Sequence, residues 1–233
     1  MSLLSMVQQA ADLIGVQRPT QVVSSSDPTI RQLLAVAQME GRTLAARGPW
    51  PEMTREASFT TVAGQANYDL QSLVPDMDFL INNTMWNRTT GRVVGGPMSA
   101  MDWQANRAHG SATPFPTFRI REGVLMFAPT PAQSESYSFE YHSKNWCKSS
   151  AGDGQQGWQA DSDVGILSEH LMTLGLVWRF KKAKGFDYSQ EYGAYQNEVS
   201  QKKARSGGSP ILSLVGGPSY TIQRGVTGGG HWY

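Results

Sequence analysis

Apolar residues recur at helical spacing at both ends of this chain and at strand spacing between them, and no single helical stripe is long enough to bury itself. Leu3, Val7, Ala10 and Ile14 fall at spacings of 4, 3 and 4, which places them on one face of a short helix. Gly15 ends it and Pro19 prevents its resumption. Asp27-Pro28 reads as an N-cap followed by proline at the first helical position. Ile30, Leu33, Leu34, Ala37, Gly41 and Leu44 then line a second helix, which Gly48-Pro49-Trp50-Pro51 stops. Near the other end Asp161, Ser162 and Asp163 offer N-caps, and Val164, Leu167, Leu171, Leu174 and Trp178 recur as a seam down to Lys184-Gly185. Asp187 with Gln190 predicts a capping box for a fourth helix, with Tyr188, Tyr192, Tyr195 and Val199 on its face. The short turn at Gly185 makes the last two helices antiparallel, so Leu171, Leu174 and Trp178 should meet Tyr188, Tyr192 and Tyr195.

Between Pro51 and Trp146 the runs are short and β-prone. Ser58–Val62, Asn67–Leu70, Phe79–Asn82, Arg92–Val94, Thr117–Arg121, Val124–Ala128 and Tyr137–Tyr141 read as strands, with Glu122-Gly123 as a two-residue hairpin turn and Met98–Arg107 as a short helix. Four stripes that each need a partner are buried most economically by packing together. The expected fold class is therefore α+β: a four-helix bundle of two N-terminal and two C-terminal helices, with an inserted antiparallel β-sheet or sandwich and an extended C-terminal arm. The expected boundaries are 1–50 with 160–206 for the bundle, 51–148 for the β-domain, 149–159 for a linker and 207–233 for the arm.

The arm is rich in glycine yet carries Ile211, Leu212, Leu214, Val215, Tyr220, Ile222, Trp232 and Tyr233. It reads either as a frayed terminus or as a segment that orders on a partner.

The chain has 233 residues and a formal net charge of +1, so no global field points to nucleic acid or a membrane. Cys147 is the single cysteine, which excludes an intrachain disulfide. The opening stretch lacks a basic region and carries Asp12, and so reads as neither a signal peptide nor a membrane span. No catalytic or cofactor motif is visible, and no cofactor is expected. The histidines His109, His142, His170 and His231 show no metal-ligand spacing. Asp76 and Asp78 could share a face as a cation site or an acid/base pair, against the simpler reading of a solvated strand edge.

Local charge is less balanced. Arg179, Lys181, Lys182, Lys184, Lys202, Lys203 and Arg205 face only three acids in the same stretch, Asp187, Glu191 and Glu198. These bases read as phosphate contacts in a DNA channel, as partners for acids on a neighbouring subunit, or as cations placed at helix C-termini.

The string Ala45-Ala46-Arg47-Gly48-Pro49-Trp50-Pro51, after a helix and before β-structure, resembles a landmark of phage head-to-tail adaptors of the tail-tubular-protein-A-like family. The run from Phe59 to Leu70 is similar to that family's first β-hairpin. The segment from Leu174 to Arg205, with Trp178, Phe180, Gly185, Tyr188, Tyr195 and Glu198, resembles its C-terminal helical hairpin. The proline before Trp50 and the long tail depart from the family pattern. The resemblance implies a non-enzymatic virion protein at the head–tail interface of a short-tailed phage, made in the host cytoplasm. It implies a homo-oligomeric ring of twelve between the portal protein and a tail tube, nozzle or fibre protein, extending the DNA channel, with non-specific DNA contact and no membrane. The arm residues would then bind the portal. The alternative is a glycan-binding β-module or a peptidoglycan-active hydrolase, for which Trp86, Trp103, Trp146 and Trp158 beside Asn82, Asn83, Asn87 and Asp102 would form the sugar platform.

Overall fold

A computed structural model describes residues 2–108 and 115–206. The protein is α+β, with six helices and antiparallel sheets among the described residues. Helix α1 (Leu3–Ile14) starts on Ser2, whose hydroxyl accepts the Ser5 amide at 3.3 Å, and ends on Gly15 in the left-handed region at φ 72°. Helix α2 (Pro28–Ala45) starts on Asp27, whose carboxylate accepts the Thr29 and Ile30 amides at 2.7 and 3.2 Å.

The two C-terminal helices are α5 (Glu169–Lys184) and α6 (Ser189–Ser206). Helices α1, α2 and α6 each pack on α5, and Leu3, Leu33, Leu176 and Tyr195 belong to one apolar core. Because α5 lies in the middle, it is buried on more than one side: Met172, Leu176 and Val177 are buried along with Leu171 and Trp178. The single seam expected from the sequence therefore misses half of its packing. Leu174, a seam member, is only partly buried. Trp178 does meet Tyr188, Tyr192 and Tyr195 across the Gly185 turn, at ring-centroid distances of 6.1, 5.0 and 5.9 Å.

Three local expectations need correction. Val164 is not helical. Val164–Gly165 (strand β11) pairs with Cys147–Lys148 (β9), which also pairs with Gly154–Gln155 (β10), so α5 cannot begin until that ladder is complete. Asp161 and Asp163 consequently tie loops rather than cap α5. Asp161 accepts the Val22 and Val23 amides, and the buried Asp163 accepts those of Gln159 and Ala160. Asp187 accepts the amide and hydroxyl of Ser189 in place of a box with Gln190.

Strand β1 (Thr54–Thr60) pairs along its whole length with β8 (Ser136–Ser143). The other edge of β8 takes β3 (Met77–Leu80) and β4 (Trp86–Asn87), and β5 (Arg92–Val93) pairs with β4. A second sheet has the order β2 (Asn67–Asp69), β7 (Val124–Ala128), β6 (Thr117–Arg121). Glu122 and Gly123 both adopt positive φ, 54° and 77°, between β6 and β7, as a tight hairpin turn requires. The two sheets face each other over Phe118, Leu125, Phe127, Tyr137, Phe139 and Tyr141. The short helix α3 (Leu70–Leu73) follows β2, and α4 (Ala100–Ala108) lays Trp103 against Met126 and Ala128. No helix among the described residues is long and apolar enough to cross a membrane.

Where the chain leaves β8, an aromatic pair enters the core of the helical layer. The rings of Trp146 and Trp158 meet edge-on at 5.1 Å. Gln38 on α2 holds the Trp158 backbone from both sides, donating to its carbonyl at 2.7 Å and accepting its amide at 3.1 Å. Gly41 leaves the room for this: a Cβ there would run into the Trp146 ring. In an ordinary helix interior Gly→Ala stabilises by about 1 kcal/mol. Here the sign should invert, with Gly41→Ala destabilising by about 1–3 kcal/mol through overpacking. Urea denaturation of the variant tests this, and a stabilised Gly41→Ala would contradict the packing described.

Candidate functional site

The Arg47–Trp50 turn is the joint that positions one layer on the other. Helix α2 ends at Ala45, and Pro51–Met53 forms a single 3-10 turn before β1. Trp50 is buried between them. Its indole N–H donates to the Leu44 carbonyl at 2.7 Å, an α2 C-terminal acceptor that also takes the Arg47 amide at 3.1 Å, and its backbone N–H donates to His142 Nε2 on β8 at 3.3 Å. Arg47 reaches the other way: its guanidinium lies 5.1 Å from the Tyr195 ring centre on α6 and donates to Gln196 at 3.2 Å, while its carbonyl accepts Lys203 Nζ at 2.6 Å.

Behind this turn lies a buried polar network that sequence reasoning missed. The Glu40 carboxylate on α2 is ion-paired with Arg179 on α5 and accepts the Tyr195 hydroxyl of α6 at 2.6 Å. Gly175 makes space for it, since a Cβ there would overlap the carboxylate. Burial pushes the Glu40 carboxyl up from its ordinary range, opposed by the bonds from Tyr195 and Arg179 and by the charges of Arg179 and Arg47. Burial and the nearby Glu40 carboxylate raise the Tyr195 phenol in turn.

The seven bases proposed for DNA or subunit contact are spread over several roles. Arg179 is nearly buried on Glu40 and also stacks on Trp178 at 4.6 Å. Lys181 pairs with Glu191, and Lys202 pairs with Glu52 at 2.7 Å. Lys203 is bonded to the Arg47 carbonyl. Lys182 lies over Trp178 and Tyr188, Lys184 lies over Phe180, and Arg205 bonds Gln201 at 3.4 Å. Lys182, Lys184 and Arg205 are exposed and form no ion pair among the described residues. The arm residues Ile211, Leu212, Leu214, Val215, Tyr220, Ile222, Trp232 and Tyr233 lie outside the described residues, as do His109 and His231.

The side chains weighed for chemistry are placed structurally. Asp76 accepts Tyr141 and Ser143 hydroxyls at 3.0 and 2.7 Å and pairs with Arg55 at 3.3 Å, so its oxygens are occupied by its own fold. Asp78 is exposed and does not share that network. Trp103, Trp146 and Trp158 are buried, which removes three rings from the sugar platform considered above. Cys147 is buried and its thiol is pushed up to about 12 by desolvation, so it is poorly suited to nucleophilic attack. Among the described residues no group of three or more His, Cys, Asp or Glu gathers as a metal site.

Two outcomes follow from the joint and the network. Glu40→Ala strands the Arg179 guanidinium and should cost about 3–5 kcal/mol in denaturant unfolding; a loss under 1 kcal/mol would mean the pair is not buried. Burial lowers the His142 imidazole below its ordinary 6.5, against the opposing Asp78 charge. The unfolded chain thus binds the extra proton first, so the His142 contribution is complete above pH 6.5 and is lost as pH falls through the folded value. His142→Gln, which keeps an acceptor for Trp50, should flatten the fall in melting temperature between about pH 7 and 5. An unchanged pH slope would exclude His142 as its source.

No curated protein matches the chain significantly. Residues 1–212 match the family model described as SU10 adaptor protein. That match covers the described helices, all three described sheets and the Arg47–Trp50 joint, and it ends before Leu214. The chain belongs to the SU10 adaptor protein family, a family of phage head-to-tail adaptors.

Proposed function

We propose that this protein forms a ring between the portal and the tail, with twelve copies as the expected number, and so extends the DNA channel. The family match over residues 1–212 carries the reading. The helical layer makes the lateral contacts as one four-helix body. It has side chains to offer for this: Leu13, Met39 and Phe186 are 61, 56 and 60% exposed on or beside its helices. Contacts of this kind, with two different patches on each subunit, close into a ring when the rotation per copy divides a full turn. Met101 and Phe115, beside the second sheet, are also exposed and suit contact with a tube, nozzle or fibre protein. The arm from residue 207 onward engages the portal, and its apolar side chains supply the contact.

Within this reading the seven bases divide. Arg179, Lys181, Lys202 and Lys203 hold the subunit together, which leaves Lys182, Lys184 and Arg205 for phosphate or for acids of an adjacent copy. The role is mechanical and adhesive, not catalytic.

Mixing the purified protein with its portal should give a complex whose mass corresponds to one adaptor per portal subunit. Removing residues 209–233 should leave the far-ultraviolet dichroism and melting of the chain intact while abolishing stable portal attachment. Monomer persisting beside free portal would overturn the ring, and unchanged attachment by the truncated chain would overturn the arm.

A further inference from the structure

A cleft of about 320 Å³ opens where the last turn of α2 meets the end of β8, lined by Arg42, Met53, Asp78, His142, Lys144 and Gln156 among others. Three features set it apart from an ordinary surface dimple. First, Arg42 and Lys144 form no ion pair among the described residues, although they flank the same opening. Second, His142 is 2% exposed, yet its Nδ1 has no hydrogen-bond partner there. Third, the other ring nitrogen is committed as an acceptor, because Nε2 takes the Trp50 amide proton. The neutral imidazole must therefore carry its proton on Nδ1, which makes the unpartnered atom a donor. A buried donor without an acceptor costs about 1–3 kcal/mol, a cost that an acceptor entering the cleft would remove.

The cleft thus combines two unpaired cations with one unpartnered N–H and needs an acceptor-only, anionic group. Asp78 on the rim decides which anion. With His142 neutral, the lining carries two positive charges and one negative, a net of one. That balances a carboxylate. A doubly charged phosphate would be left in excess and would meet the Asp78 charge directly. In the last turn of α2, Arg42 O accepts the Ala46 amide, and Leu44 O accepts both the Arg47 amide and the Trp50 indole N–H. Arg42 also brings the planar fork that suits a carboxylate better than an ammonium does.

We infer that this cleft is a carboxylate-binding site that receives an Asp or Glu side chain from an apposed protein surface. Its position, wedged between helix α2 and strand β8, means the incoming side chain would touch both layers of the subunit at once. The inference does not depend on ring formation, since the site is complete within one chain.

Glutarate, a small stand-in for a glutamate side chain, is the probe. In the full-length protein labelled with ¹⁵N, the His142 ring nitrogens are followed by long-range proton–nitrogen correlation while glutarate is added. A saturable shift at His142 Nδ1 is expected. In the Arg42→Gln/Lys144→Gln variant, whose substituted side chains are exposed or half-buried, the apparent affinity should fall at least tenfold while the melting temperature stays near that of the parent. Inorganic phosphate and a short DNA duplex, titrated separately, should bind His142 more weakly than glutarate. No saturable shift with glutarate, or a shift that survives in the double variant, would overturn the assignment. Tighter binding of phosphate or duplex would replace it with a phosphate site.

Discussion

A carboxylate removed from water must find its compensation inside the protein, and Glu40 finds it on two other helices. Arg179 comes from α5 and Tyr195 from α6, so one buried charge fixes three elements that are distant in sequence, with separations of 139 and 155 residues. A buried ion pair of this kind adds little net stability compared with an apolar substitute, but leaving either partner alone is costly. Its effect is therefore on geometry: only arrangements that deliver both partners to Glu40 are tolerated. The absent side chain of Gly175 serves the same end by letting the carboxylate lie against α5. Apolar packing around α5 then fills the volume that the polar contacts define.

The sheets obey a simpler rule. Strand β8 is the spine of the first sheet, with β1 on one edge and β3 and β4 sharing the other. Tyr137, Phe139 and Tyr141 share one face of it and close on β6 and β7, while Ser138 and His142 on the other face are buried as well and Glu140 is exposed. At His142 the same strand turns from the sheet core to the helical layer, so a single element contributes to both.

Much of this was legible in the residues. The alternation of period, the Asp27-Pro28 start, the Gly15 and Gly185 stops and the Glu122-Gly123 turn each act over a few residues, and local chemistry suffices to read them. The Trp178 contact with the three tyrosines followed from helical spacing and a short turn. What failed to show depends on tertiary placement. Val164 sits in register with an apolar seam, yet a ladder with Lys148 claims its backbone first. Glu40 looks like a member of a solvated face, because nothing near it in the chain announces Arg179 or Tyr195. The string around Trp50 was conspicuous as a resemblance, but its physical task of bonding a helix end and a histidine on β8 was not. His142 was weighed only for metal spacing, and its use as an acceptor has no sequence signature at all.

The two N–H groups of Trp50 point at different layers, one at the Leu44 carbonyl of the helix and one at His142 of the sheet. They belong to a single residue flanked by prolines on both sides, and proline leaves the backbone little torsional slack. The residue consequently behaves as a stiff strut instead of a hinge. If the sheet layer is pulled or twisted, the strain has no compliant linker in which to dissipate at this point, and it passes into the last turn of α2. From there Arg47 and Glu40 hand it on to α5 and α6. A load applied to the sheet layer thus passes through Trp50, Arg47 and Glu40 into three helices, and the two layers respond as one piece instead of flexing where they meet.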